Sequence, residues 1–245
     1  MKQVRGNIKD RVSKGMGQMN TILTLLKTVS FGSSYFQIAV TLREAHLING
    51  MLSSSDVWYG VRKKETDALE EVDKILLRKI LDAPASSCVE SLYLELGLIP
   101  IHIILKSRRI VYYHYLVNLN QEEMLHKFFV AQQKYPCKDD WTMQVADDLK
   151  DFGISGSFEL MKSKSANSFK RYVKIKTKEY ALEYLLGIKS DHRQMDDLVY
   201  TELKMQKYLK TEEIPVNEAK NLFKYRTKSA NFKDNFVDRY EHRTG

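Results

Sequence analysis

Three features of the sequence predict an all-α fold, a multi-helix bundle followed by a smaller helical region. Apolar residues recur three and four apart along most of the chain, the spacing that gathers side chains on one face of a helix. Strand-like alternation is almost absent. Only four prolines and eleven glycines punctuate 245 residues, so long helices meet few breakers.

Taken in order, the first helix is expected over residues 7–29, where Ile8, Val12, Met16, Met19, Ile22, Leu23 and Leu26 share a face. Gly15 and Gly17 weaken its middle by about 1 kcal/mol each relative to alanine. Residues 30–34 form a turn able to cap a second helix over 35–52, with Phe36, Ala39, Val40, Leu47, Ile48 and Met51 as core candidates. Residues 53–59 turn from polar to aromatic, a corner anchored by Trp58. A third helix spans 66–81 on the stripe Leu69, Val72, Leu76 and Ile80. It stops at Asp82-Ala83-Pro84, since proline disfavours helical geometry in the residue before it. Ser87-Cys88-Val89-Glu90 reads as a capping box for a helix carrying Val89, Leu92 and Leu96. Gly97 suits the left-handed residue that closes it, and Pro100 suits the first turn of the next.

Residues 101–116 are apolar nearly all round except for Lys106, Arg108 and Arg109, the pattern of a helix central to a core. Arg108 lies on the Ile104–Val111–Tyr115 side, so it either reaches the surface or faces a partner. Another amphipathic helix runs from 122 to 135 and stops at Pro136. Asp139 or Asp140 caps a helix over 141–152 with Trp141, Val145, Leu149 and Phe152 aligned, and Gly153 ends it. The basic, serine-containing stretch 162–168 is the expected domain boundary, separating residues 1–160 from 161–245. A helix over 169–188 packs through Val173, Tyr180, Leu182, Leu185 and Leu186, and two or three shorter helices follow.

Hydrophobic residues make up 43% of the chain and aromatics 11%, a globular rather than disordered composition. Two separated cysteines, Cys88 and Cys137, cannot build a zinc site alone and suit a reducing compartment. The most apolar run, residues 96–105, is interrupted by Gly97, Pro100 and His102 and is too short for a membrane span. A soluble intracellular protein is expected, nuclear or cytoplasmic, with no membrane partner. The net charge of +8 and pI near 9.2 permit a polyanionic partner.

The run from Leu69 to Pro84 carries Leu69-Glu70, then Leu77-Arg78 and Ile80-Leu81, then Pro84. Ser91-Leu92-Tyr93-Leu94-Glu95-Leu96-Gly97-Leu98-Ile99-Pro100 follows. Upstream stand Asn7-Ile8-Lys9-Asp10-Arg11-Val12 with Lys14-Gly15, then Gly50 and Leu52 leading into Trp58-Tyr59. This ordered series, covering most of the chain, resembles the region after the polymerase palm in non-LTR (LINE-like) retrotransposon reverse transcriptases. The resemblance implies a helical thumb and the connector after it. Such a piece positions a primer–template duplex, while metal-bearing carboxylates in the palm do the chemistry. Near the C-terminus, Asn221 to Thr227 and Asn231 to Phe236 are also similar to this group. There the segment often leads into a Cys/His-rich zinc motif, which this chain lacks.

Val145-Ala146-Asp147-Asp148 imitates the aromatic-x-Asp-Asp motif that holds two catalytic metals in reverse transcriptases. It lies within an amphipathic helix rather than a strand pair, follows the thumb-like segment, and lacks a third aspartate, so Asp147 and Asp148 read as a solvated helix face. His102, His114 and His126 stand on different helices with no nucleophile in a recognised setting. Asp191-His192 near Asp196 reads as hydrated loop residues. No catalytic residue, metal site, cofactor or small-molecule substrate is indicated.

Charge distribution is the stronger signal. Lys162, Lys164, Lys170, Arg171, Lys174, Lys176 and Lys178 fall in a stretch without an acid, interleaved with Phe169, Tyr172 and Tyr180. Two readings fit: a surface that grips phosphates and stacks bases, or a solvated face whose aromatics pack inward. A more scattered set joins Arg11 and Lys14 to Lys106, Arg108 and Arg109. The expectation is a nucleic-acid-binding fragment without polymerase activity of its own. Its partners would be RNA or an RNA–DNA hybrid, and a palm domain supplied by a longer parent protein. A helical protein-interaction adaptor and a non-functional retroelement remnant are the alternatives.

Overall fold

The computed structural model describes residues 2–29, 32–135, 137, 140–189 and 198–229. The fold is all-α. No strand occurs among the described residues, and Leu96 and Met205 make an isolated antiparallel bridge.

Helix α1 spans Lys2–Leu26, and its interior glycines do not interrupt it. Helix α2 (Gly32–Leu42) runs through a π-helical turn, Arg43–Ile48, into the short α3 (Asn49–Met51). The single regular helix expected over 35–52 is thus a helical path with a π-bulge. The bulge begins at a fully buried arginine. Arg43 donates from Nε and Nη2 to the Asp73 carboxylate at 2.7 and 2.6 Å, and the Tyr93 hydroxyl donates to the same group at 3.1 Å. A buried cation is tolerable only with such a partner.

Helix α4 (Lys63–Leu81) ends where the proline signal put it, with Asp82 left-handed at φ 52° and Ala83 N–H bonded to the Arg78 carbonyl. Helix α5 (Val89–Leu96) starts differently from expectation. Its N-cap is Cys88, no side chain caps it, and the buried Ser87 Oγ has no hydrogen-bond partner among the described residues. Glu90 instead accepts from the Cys88 thiol at 2.9 Å; burial and then Glu90 push that thiol up to about 12. Gly97 adopts φ 67°, and Pro100 caps α6 (Ile101–Val117).

Helix α7 (Met124–Lys134) is followed by residues that include Pro136, which lies outside the described set. Asp140 caps α8 (Trp141–Asp151), accepting from the Met143 amide; Asp139 is outside the described residues. The basic break expected over 162–168 shrinks to Lys164 and Ser165. It separates an additional helix, α9 (Phe158–Ser163), from the long α10 (Ala166–Lys189). A 3-10 turn (Lys207–Leu209) and α11 (Val216–Arg226) complete the described chain. No helix among the described residues is long and apolar enough to cross a membrane.

The chain divides into two compact units, each built from three separated stretches rather than from the sequential pieces 1–160 and 161–245. One unit combines the residues up to Gly15 with Ile48–Glu70 and Ile99–Leu182. Its core includes Ile8, Trp58, Ile101, Ile110, Val145 and Phe169. The other combines Met16–Leu47, Glu71–Leu98 and the described residues from Glu183 onward. Its core includes Met19, Phe36, Leu76, Leu92, Leu185 and Phe223. In this second unit Glu95 is fully buried and accepts from Tyr200 at 2.6 Å and from Arg226 at 3.3 Å.

Candidate functional site

Helix α6 shows one cationic and aromatic face. Arg108, Val111, Tyr112 and Tyr115, with Leu119 just past the helix end, stand three, four, seven and eleven positions along from Arg108 and so share a side. Lys162 from α9, Lys164 from the link and Lys170 from α10 meet that face. Together they line an open cleft of about 780 Å³, with Asp56 as its one carboxylate among the lining residues.

The cleft is held by contacts beneath it. His114, on the buried side of α6, stacks its ring on Phe169 at 4.1 Å and 12°, and its Nε2 lies 3.1 Å from the Lys164 carbonyl. Asn118 Nδ2 donates to the carbonyls of His114 and Met161 at 2.8 and 3.2 Å. These bonds seat the basic junction between α9 and α10 against α6. At the other wall, Trp141 donates from Nε1 to the Asp56 carbonyl at 2.8 Å and meets the Tyr112 ring edge-on at 5.7 Å. Tyr112 in turn stacks with Tyr115 at 5.7 Å and 25°. Tyr115 is 51% exposed, a large aromatic surface in solvent at the cleft.

Arg108 is oriented by two acceptors, the Leu52 carbonyl at 2.6 Å and Asn49 Oδ1 at 2.8 Å. Burial, then Asp56 and Tyr115, raise the Tyr112 hydroxyl above its ordinary value, so it stays neutral.

The remaining sequence-predicted cations divide into two groups. Lys170, Arg171, Lys174 and Lys178 are exposed on one side of α10, whose inward face carries Phe169, Val173, Thr177 and Ala181. Lys176 is committed to Glu179 at 2.8 Å, which raises its pKa and discounts it as a phosphate ligand. The second set does not assemble. Arg109 is buried and bonded twice to Asp148, at 2.7 and 3.0 Å, which removes it from any surface. Arg11 donates to the Gly50 carbonyl and Ser53 Oγ and lies 5.7 Å over the Trp58 ring, a structural tie at the corner. Lys14 is exposed but does not line the cleft. Lys106 pairs with Asp151.

Two further expectations change. Asp148 is not solvated: it is 3% exposed, and burial raises its carboxyl despite Arg109. The aromatics interleaved with the basic run face inward or sideways. Phe169 is fully buried, Tyr172 carries Lys164 over its ring at 5.2 Å, and Tyr180 packs on Phe152 at 5.0 Å. The exposed ring beside the lysines is Tyr115, from another helix. Its signal in the sequence was the helical spacing with Arg108.

No group of three or more His, Cys, Asp or Glu able to hold a metal occurs among the described residues; Asp191, His192 and Asp196 lie outside them. No family model, curated protein or solved structure matches the chain.

Proposed function

We propose that this chain binds nucleic acid, as the thumb and connector region of a non-LTR retrotransposon reverse transcriptase, and that bond-making belongs to a palm carried elsewhere. The observation that carries this reading is the gathering of Arg108, Lys162, Lys164 and Lys170 around one cleft, beside the exposed lysine face of α10. Phosphates attract such a surface at long range and release counterions on contact. Lysine and arginine contacts to the backbone fix register without reading sequence, which is what positioning a primer–template requires. The ordered series from Leu69 to Pro100 gives the reading its family.

The test is binding of a fluorescent RNA–DNA hybrid, followed by anisotropy. Replacing Lys170, Arg171, Lys174 and Lys178 together by glutamate should abolish binding while the helical circular-dichroism spectrum persists. Unchanged affinity in that variant would remove the α10 face from the account.

One observation favours a second reading, a protein-interaction adaptor. Helix α7 exposes Met124 at 69% and Phe128 at 66%, four residues apart, with Leu125 and Val130 alongside. Self-association or a protein partner lost on Phe128→Asp, with no affinity for nucleic acid, would select that reading.

A further inference from the structure

We infer that the cleft along α6 captures an unpaired nucleobase together with its flanking phosphates, so that the chain binds single strands through a contact duplex cannot make. This rests on the nucleic-acid reading above and adds to it a ligand class and a residue, Tyr115.

Three aromatic rings stand in series at one wall of the cleft. Trp141 is fixed by its bond to the Asp56 carbonyl, Tyr112 leans edge-on against Trp141, and Tyr115 lies against Tyr112. Each ring supports the next, and the last of the three is half in solvent. A backed ring with an exposed surface is a platform on which a planar group can stack without first ordering the platform. A base within a duplex is already stacked on both faces and has none to give. An unpaired base does, and every base has a π-face, so such a platform tolerates any sequence.

Charge supplies the rest of the ligand. Arg108 stands seven positions before Tyr115 on the same face, and Lys162, Lys164 and Lys170 line the opposite side. Four basic side chains and one acid, Asp56, among the lining residues give the cleft the sign that the phosphates on either side of one base require. The volume of about 780 Å³ falls within the range of sites that enclose a small organic group. The exposed lysines of α10 point away from its packed face and can follow a backbone in either duplex or single strand. The two surfaces therefore divide the work: α10 holds any polyanion, and the cleft selects the unpaired nucleotide.

The experiment uses the whole chain with three probes: an oligouridylate of about 12 nucleotides, within the span such grooves cover, a blunt RNA–DNA hybrid of equal length, and heparin as a polyanion without bases. Tyr115→Ala should weaken oligouridylate binding about ten-fold, the effect of losing one base–ring stack. Hybrid and heparin binding should stay within two-fold. Tyr115→Trp should keep the single-strand affinity and place an indole in the cleft whose emission oligouridylate quenches. Single-strand affinity indifferent to Tyr115→Ala, or equal weakening for all three probes, overturns the inference. A Tyr115→Trp chain that binds oligouridylate with no quenching of the new indole overturns it too. A chain that binds none of the three instead sinks the nucleic-acid reading itself, and a protein ligand competing at Tyr115 would replace it.

Discussion

At Gly97 the chain must do two things that a side chain forbids. The backbone is left-handed at φ +67°, and a Cβ there would sit 2.2 Å from the Lys204 carbonyl carbon and the Met205 nitrogen. Both offending atoms are main chain, so no rotamer change relieves them. Gly60 offers the control: its φ is +62°, yet nothing lies within 4 Å of a Cβ placed there. Gly60→Ala should cost about 1 kcal/mol, the left-handed penalty alone. Gly97→Ala should cost about 3 kcal/mol or more, because the close approach beside the Leu96–Met205 bridge must open. Urea unfolding of the two variants measures the difference; equal losses would mean that the neighbouring segment yields freely.

At the scale of elements, α8 depends on its cap. Asp140 accepts from the Met143 amide at 2.9 Å, the Thr142 hydroxyl at 2.7 Å and the Cys137 amide at 3.0 Å. Burial pushes its carboxyl up, but these donors outweigh it and hold the group below the ordinary carboxylate value. A depressed folded pKa stabilises above the unfolded value, near 4, and that contribution disappears as pH falls through the lower folded value. Asp140→Ala should therefore cost about 1 kcal/mol at pH 7, with the difference from the unaltered chain narrowing as pH falls below the ordinary carboxylate range. Denaturation at neutral and at acid pH tests it. This cap was legible because it is local: an aspartate directly before an apolar-periodic run. The helices themselves were legible for the same reason. Asp148 was not, because its partner Arg109 arrives from 39 residues away and periodicity records no partners. The cleft was half legible. The stripe of Arg108, Val111 and Tyr115 stood in the sequence, but only the return of the chain through α9 and α10 brings Lys162, Lys164 and Lys170 against it. The capping box failed for a third reason: a motif of the right residues sat one position from where the helix starts.

For the whole molecule, the excess of eight positive charges is concentrated enough to predict a salt dependence. If Lys170, Arg171, Lys174 and Lys178 each neutralise one phosphate, log affinity should fall against log salt with a slope of about −3.5 on duplex and about −3 on single strands. Titrations across a range of potassium chloride read this directly, and a slope near zero would show that the charge is not used. The two compact units also impose an order on how the chain is made. Glu95 leaves the ribosome 131 residues ahead of Arg226, one of the groups that satisfy it. At bacterial-to-eukaryotic synthesis speeds that interval lasts roughly 7–26 s. Throughout it the nascent chain holds an acid that still lacks one of its partners, so that unit closes fully only after Arg226 has emerged.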